Sequence, residues 1–149
     1  MNDIEVIKKI RDMTGFSIGQ IKKALEESGG DQARALDILK AHGAVVAAKK
    51  ESRSTEQGLI GSYVHANGKI ATVVSVLCET DFVAKNPMFQ ELTHEIAMHI
   101  TAMNPKDVAE LLGQEYIRDQ SMTIEEFMNQ FIAKLGENIK IGKFMRLEI

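Results

Sequence analysis

Residues 58–87 read GLIGSYVHANGKIATVVSVLCETDFVAKNP, and the fold class turns on how this stretch is read. Two apolar runs flank Asn67-Gly68, a pair suited to a type I′ turn because both central residues need positive φ. A two-residue turn there pairs Ala66 with Lys69 and His65 with Ile70. The run Ile70–Cys78 is apolar on both faces except at Thr72 and Ser75, which predicts a central strand covered on both sides. Asn86-Pro87 then opens a helix, Asn as N-cap and Pro at the first helical position, where its missing N–H is not needed. Leu92, Ile96, Ile100 and Met103 give that helix an apolar stripe, and Pro105 blocks it.

Downstream, Asp107–Leu112 reads as another helical turn. Thr123 and Glu126 have capping-box spacing ahead of a helix with Ile124, Phe127, Phe131 and Leu135 on one side, ended by Gly136. The last residues, NIKIGKFMRLEI, predict a strand. Ile139, Ile141, Met145, Leu147 and Ile149 alternate towards one face, interrupted by Lys143. The expectation is an α+β fold built on a three-stranded antiparallel sheet packed with helices.

Upstream, Asp3 is placed to cap a helix with Ile4, Ile7 and Ile10 on one face and Val6 and Met13 beside it. Ser17 and Gln20 form a capping box for a second helix carrying Ile18, Ile21, Ala24 and Leu25, which Ser28-Gly29-Gly30 ends. Asp31 caps a third, with Ala35, Leu36, Ile38 and Leu39, closed by Gly43. Three short helices in so few residues form a small bundle that buries little surface alone. Its MTGF loop (Met13–Phe16) resembles that of ubiquitin-associated domains. The stretch AVVAAKKESRSTEQ begins helix-like and turns polar near Arg53. The expected division is a three-helix module over 1–43, a helical and polar linker over 44–57, and a core domain over 58–149.

The totals narrow the function classes. In 149 residues, 44% are apolar, enough for a packed core. Eighteen Lys and Arg against twenty-one Asp and Glu leave a net charge of −3, unlike the basic footprint of a dedicated nucleic-acid binder. A single cysteine, Cys78, excludes an internal disulfide and fits a reducing compartment. The first residues have no apolar signal core, and no apolar run reaches the ~20 residues of a membrane helix. A soluble, cytoplasmic protein is expected.

Catalytic chemistry finds little to work with. HEIAMH (His94–His99) looks like a zinc motif, but the second histidine is at i+5, about 140° round the helix instead of one turn on. Cys78 ends an apolar strand, where a free cysteine behaves as a small hydrophobe. No Ser-His-Asp order, glycine-rich phosphate loop or catalytic carboxylate pair is present. Neither enzymatic activity nor a cofactor is expected. The basic clusters Lys22-Lys23, Lys49-Lys50 and Lys140/Lys143/Arg146 read as solvated faces or as a surface for an acidic or phosphate-bearing partner.

At Thr80–Asn86, TDFVAKN, two readings of Phe82 stand: an ordinary core aromatic under the next helix, or a side chain presented to a partner. Asp81 beside it has no evident counter-charge, and an unpaired buried charge is costly, so the corner should lie near water. An exposed aromatic on a stiff corner has the character of an interaction hot spot. ETDFVAKN also closely resembles the signature of the bacterial elongation factor Ts family, the guanine-nucleotide exchange factors of elongation factor Tu. TGFSIGQIKKALEESGGD resembles that family's N-terminal module, and FIAKLGENIKIGKFMRLEI its ending, so the likeness covers nearly the whole chain.

The resemblance implies a mechanism. Asp81 and Phe82 would enter the nucleotide-binding domain of elongation factor Tu, in its GDP-bound and nucleotide-free forms, and dislodge its magnesium so that GDP leaves. Thr80 and Val83 would fix the corner. Ile18 and Lys22 would touch the same domain. Gly19 stands where the family has a methionine, and Phe16 would compensate. Longer members have a two-part core and a coiled-coil insertion that this chain lacks. Short members close the exposed sheet by pairing across a two-fold axis, so a homodimer through the sheet is expected. The alternative is an RNA-associated translation accessory protein using Lys140, Lys143 and Arg146, which the net acidity and the six Phe, two Tyr and no Trp disfavour. Ubiquitin-like recognition through residues 1–43 is a third reading, by fold analogy alone.

Overall fold

A computed structural model describes residues 3–149. In chain order the elements are α1 (Asp3–Thr14), α2 (Ile18–Glu27), α3 (Gln32–Lys50), β1 (Gln57–Val64), β2 (Ile70–Cys78), α4 (Asp81–Ala84), α5 (Pro87–Met103), α6 (Val108–Gly113), β3 (Glu115–Tyr116), β4 (Asp119–Thr123), α7 (Ile124–Leu135) and β5 (Ile139–Glu148). The fold is α+β, with a three-helix N-terminal bundle and a three-stranded antiparallel sheet in the order β1-β2-β5. A small two-stranded hairpin, β3-β4, was not expected.

Local capping places most helices. Ser17 and Gln20 make the reciprocal box on α2, and Asp31, Asn86, Asp107 and Thr123 cap α3, α5, α6 and α7. Asp3 lies inside the first turn of α1 instead of capping it from outside. The two residues that begin the 1–43 module fall outside the described ones. The buried face of α1 is Val6, Ile10 and Thr14, while Ile4 and Met13 are exposed. Gly43 does not close α3, which runs on to Lys50. The reason is tertiary. Val46 and Ala47 pack on the main core, and the bare Gly43 sits against the Asn129 backbone and the Phe16 ring. Packing therefore overrides the weak helix propensity of glycine.

The hairpin has the expected register, Val64 opposite Ala71 and the His65 N–H donating to the Ile70 carbonyl at 2.9 Å. The turn type differs. Of the turn residues only Gly68 has positive φ, at 70°, and its N–H donates to the His65 carbonyl at 2.8 Å. Asn67 instead accepts from the Lys69 N–H through its side chain. One glycine in the left-handed region is enough to match the strand twist here.

Strand β2 is central, but only one of its faces is covered within the chain. Val74 and Val76 join Phe89, Leu92, Ile96, Ile100, Phe127 and Phe131 beneath α5 and α7. On the other face Ile60, Val64, Val73, Met145, Leu147 and Ile149 are exposed. The single face expected for Ile139, Ile141, Met145, Leu147 and Ile149 is split by a bulge. Ile141 faces Val76 and Phe144 faces Val74, so one extra residue shifts the phase at Gly142-Lys143. Ile139 and Ile141 consequently turn towards the core, whereas Met145 and Leu147 turn away. The Ser75 hydroxyl fills the bulge, accepting from the Lys143 N–H at 2.8 Å.

Helix α5 packs directly on the backbone of β1 at Gly61. A Cβ there would lie 2.5 Å from the Thr93 carbonyl oxygen, a backbone atom that cannot step aside. Gly61→Ala should therefore destabilise the fold by about 1–3 kcal/mol through forced separation of helix and sheet, read from urea unfolding.

His94 is exposed and His99 is fully enclosed. The His99 Nδ1 accepts from the Ile117 N–H at 3.4 Å, so the neutral ring presents Nε2–H to Gln114 Oε1 at 2.9 Å. Tyr116 lies beside the ring, and the Glu95–Arg118 ion pair adjoins this site through the Tyr116 hydroxyl. Burial pushes the His99 pKa below its ordinary value, and the Gln114 hydrogen bond opposes this. Between the ordinary value near 6.5 and the lower folded value, the unfolded chain takes up a proton that the folded chain refuses. The contribution of neutral His99 to stability is thus complete above about pH 6.5 and declines as pH falls. Urea midpoints at pH 7.5 and 5.5 should differ in that sense, and by less in His99→Gln.

Candidate functional site

The end of β2 carries Cys78 fully into the core, where its Sγ–H donates to the Thr80 carbonyl at 3.2 Å. Burial pushes this thiol up, and the nearby Glu137 carboxylate adds to the shift, so Cys78 is a packing residue with no thiolate character. The chain then leaves the strand and makes the single turn α4. Thr80 caps it, its hydroxyl accepting from the Val83 N–H at 3.3 Å. Six residues after Thr80, Asn86 caps α5, accepting from the Met88 N–H at 2.9 Å. Two caps this close leave the intervening backbone little freedom.

On this turn Val83 packs against the main core and Ala84 is buried, while Phe82 is 89% exposed. Of the two readings of Phe82, core or presented, its exposure rules out the first. Asp81 is exposed beside it. Contrary to the expectation of an unpaired charge, Lys85 Nζ lies 2.7 Å from Asp81 Oδ2, one turn on. The hydrogen bond to Asp81 raises the Lys85 pKa. Both side chains are largely in water, so the pair stabilises the turn little.

A second layer holds the corner from behind. Glu137 Oε1 accepts from the backbone N–H of Glu79 at 3.1 Å and of Thr80 at 2.9 Å, and its Oε2 accepts from the Thr80 hydroxyl at 2.6 Å. Glu79 Oε1 accepts from the Asn138 N–H at 2.7 Å and lies 3.6 Å from Arg53. The Asn138 amide donates to the carbonyls of Glu51, at 3.3 Å, and Arg53, at 2.8 Å. Sequence reasoning missed Glu137, Asn138, Glu79 and Arg53. No local signal marks them, because periodicity and caps report contacts within a few residues and these span 26 to 87.

Ile18 and Lys22 sit on α2, away in sequence from the corner and on a different element; both are exposed, Ile18 to 45%. Between them Gly19 opens onto free space, its virtual Cβ meeting only Ser17 Oγ at 4.0 Å. Phe16 is buried in the module core with Ile10, Ile21 and Leu39, so it cannot replace a surface side chain missing at Gly19. Among the described residues no group of three His, Cys, Asp or Glu is placed to hold a metal, and no helix is long and apolar enough to cross a membrane. What the corner offers chemically is a rigidly mounted aromatic ring with a carboxylate beside it, suited to insertion between side chains of another surface.

A family model described as Elongation factor TS matches residues 79–149, from the corner to the C-terminal strand. The elongation factor Ts of Nitratidesulfovibrio vulgaris is 39% identical over 190 aligned residues, covering 97% of this chain and 95% of that protein. The proteins of the same name from Thermotoga petrophila, 36% identical over 98% and 95%, and Fervidobacterium nodosum, 37% over 97% and 96%, are similarly close. An alignment of 190 positions exceeds the 149 residues here, so at least 41 positions of the first relative face gaps.

Proposed function

Because the chain belongs to the elongation factor Ts family of translation elongation factors, we propose that it binds elongation factor Tu and promotes release of its GDP. The observation that carries this reading is the exposed Phe82 on a doubly capped corner, within the segment that resembles the family signature. In the proposed mechanism Asp81 and Phe82 enter the nucleotide-binding domain beside the bound GDP, the ring wedges between partner side chains, and magnesium loses its coordination. Thr80 and Val83 hold the corner. Ile18 and Lys22 on α2 dock on the same domain. No bond is made or broken, and the chain acts by weakening nucleotide affinity.

Magnitudes set limits. Burying one Phe contributes ~1.5–3 kcal/mol, and each tenfold weakening of GDP needs ~1.4 kcal/mol of coupling. One ring thus accounts for about one to two powers of ten, and larger effects require the α2 contacts as well. Coupling is reciprocal, so GDP weakens binding of this chain by the same factor.

The proposed organisation is a docking module over 1–43, a helical and polar linker over 44–57 whose first residues continue α3, and a core over 58–149, acting in the cytoplasm, with two copies joined through the bare sheet face. The RNA reading has less support. Arg146 donates to the Thr101 carbonyl at 3.0 Å and pairs with Glu148 at 2.9 Å, which leaves Lys140 and Lys143 of that cluster. The test is release of a fluorescent GDP from elongation factor Tu chased with excess GDP. Addition of this protein should accelerate it. An unchanged rate at micromolar concentrations overturns the proposal.

A further inference from the structure

We infer that Glu137 is a positioning residue for the Asp81–Phe82 pair, acting through Thr80; the inference rests on the exchange reading and deepens it. Helix α4 is a single turn of four residues, too short to persist through its own hydrogen bonds. The orientation of Phe82 therefore depends on what anchors the cap. Thr80 has one hydroxyl proton and two lone pairs. That proton goes to Glu137 Oε2 at 2.6 Å, which turns a lone pair towards the Val83 N–H at 3.3 Å. Glu137 thus sets the rotamer in which Thr80 can cap. Its other oxygen takes both backbone N–H groups, of Glu79 and Thr80, that lead into the turn. Bonds to an ionised acceptor are stronger than neutral ones.

The clasp is reciprocal. Glu137 reaches from behind α7 to the end of β2, and Glu79 reaches back to the Asn138 N–H. Gly136 makes this possible, because its left-handed φ of 75° ends α7 and turns the chain towards the corner. Nothing else about Glu137 calls for a carboxylate, since it has no ion-pair partner among the described residues.

The experiment titrates elongation factor Tu loaded with fluorescent GDP with wild type, Glu137→Ala and Glu137→Gln. It separates the maximal release rate from the half-saturating concentration. Glu137→Ala should lower the maximal rate about tenfold, as expected for losing charge-assisted bonds, with half-saturation within about threefold because α2 still docks. Glu137→Gln keeps one neutral carbonyl for both N–H groups but offers Thr80 an amide donor in place of the acceptor, and should recover only part of the rate. Hydrogen exchange on the free proteins should show the Glu79 and Thr80 amides opening faster in Glu137→Ala than in Glu137→Gln. A wild-type maximal rate in Glu137→Ala, or unchanged protection of those amides, overturns the inference. Equal losses in both variants also overturn it, since that pattern reports general destabilisation. If wild type itself fails to accelerate release, the exchange reading falls, and the amide protection still decides whether Glu137 holds the corner.

Discussion

Phe82→Ala should remove most of the acceleration of GDP release and leave the stability of the protein unchanged. The ring is 89% exposed, so truncating it opens no cavity and the urea midpoint should move by less than about 0.5 kcal/mol equivalent. In the complex the same ring is proposed to be buried, and losing its ~1.5–3 kcal/mol lowers the maximal release rate by about 10- to 150-fold. Phe82→Leu, which keeps most of the apolar volume, should fall between. The separation of the two readouts is what makes the variant informative. A core aromatic would lose stability and activity together. A Phe82→Ala protein as active as wild type would show that the ring does not enter the partner.

The second large effect concerns the bare face of the sheet. An antiparallel sheet with one face in water normally shows polar residues there. Here Ile60 on β1, Val73 on β2, and Met145 and Leu147 on β5 lie together on that face, with Ile60, Met145 and Leu147 at 70%, 74% and 73% exposure. A contiguous apolar surface across three strands marks an interaction site, and a second copy is the proposed occupant. Light scattering at micromolar concentration should give twice the chain mass of 16.5 kDa. Met145→Glu with Leu147→Glu should give the single mass, because two carboxylates desolvated in each copy weaken association by at least about a thousandfold. The fold of each chain should survive, as both positions are already in water. Monomer mass for the wild type would end the homodimer proposal.

The sequence exposed what is decided locally. Ser17 with Gln20, Asp31, Asn86 with Pro87, and Thr123 each place a helix start within a residue, because a cap and its target are two or three positions apart. The hairpin register was legible for the same reason. The bulge at Gly142 was not, since it depends on the Ser75 hydroxyl 68 residues earlier in the chain, and with it went the facing of Met145 and Leu147. Gly43 looked like a stop because the packing of Val46 and Ala47 on a distant core cannot be seen in a local window. The hairpin β3-β4 is too short to leave an alternating pattern. At the corner, spacing left Phe82 undecided between inside and outside. Its neighbours Thr80 and Val83 were in view, but Glu137, which holds Thr80, was 57 residues away.

The unbroken α3 changes how the two halves of the proposed contact add. Its first half belongs to the bundle that carries Ile18 and Lys22, and its second half packs on the core that carries Phe82. Its 19 residues make a rod about 28 Å long, with no flexible joint at Gly43. Two sites on a floppy tether engage in succession, at an effective concentration that the tether sets. Two sites on one rod engage as a chelate. The ordering entropy between them is already lost on folding, and a partner that fits one site at the wrong distance from the other gains from neither.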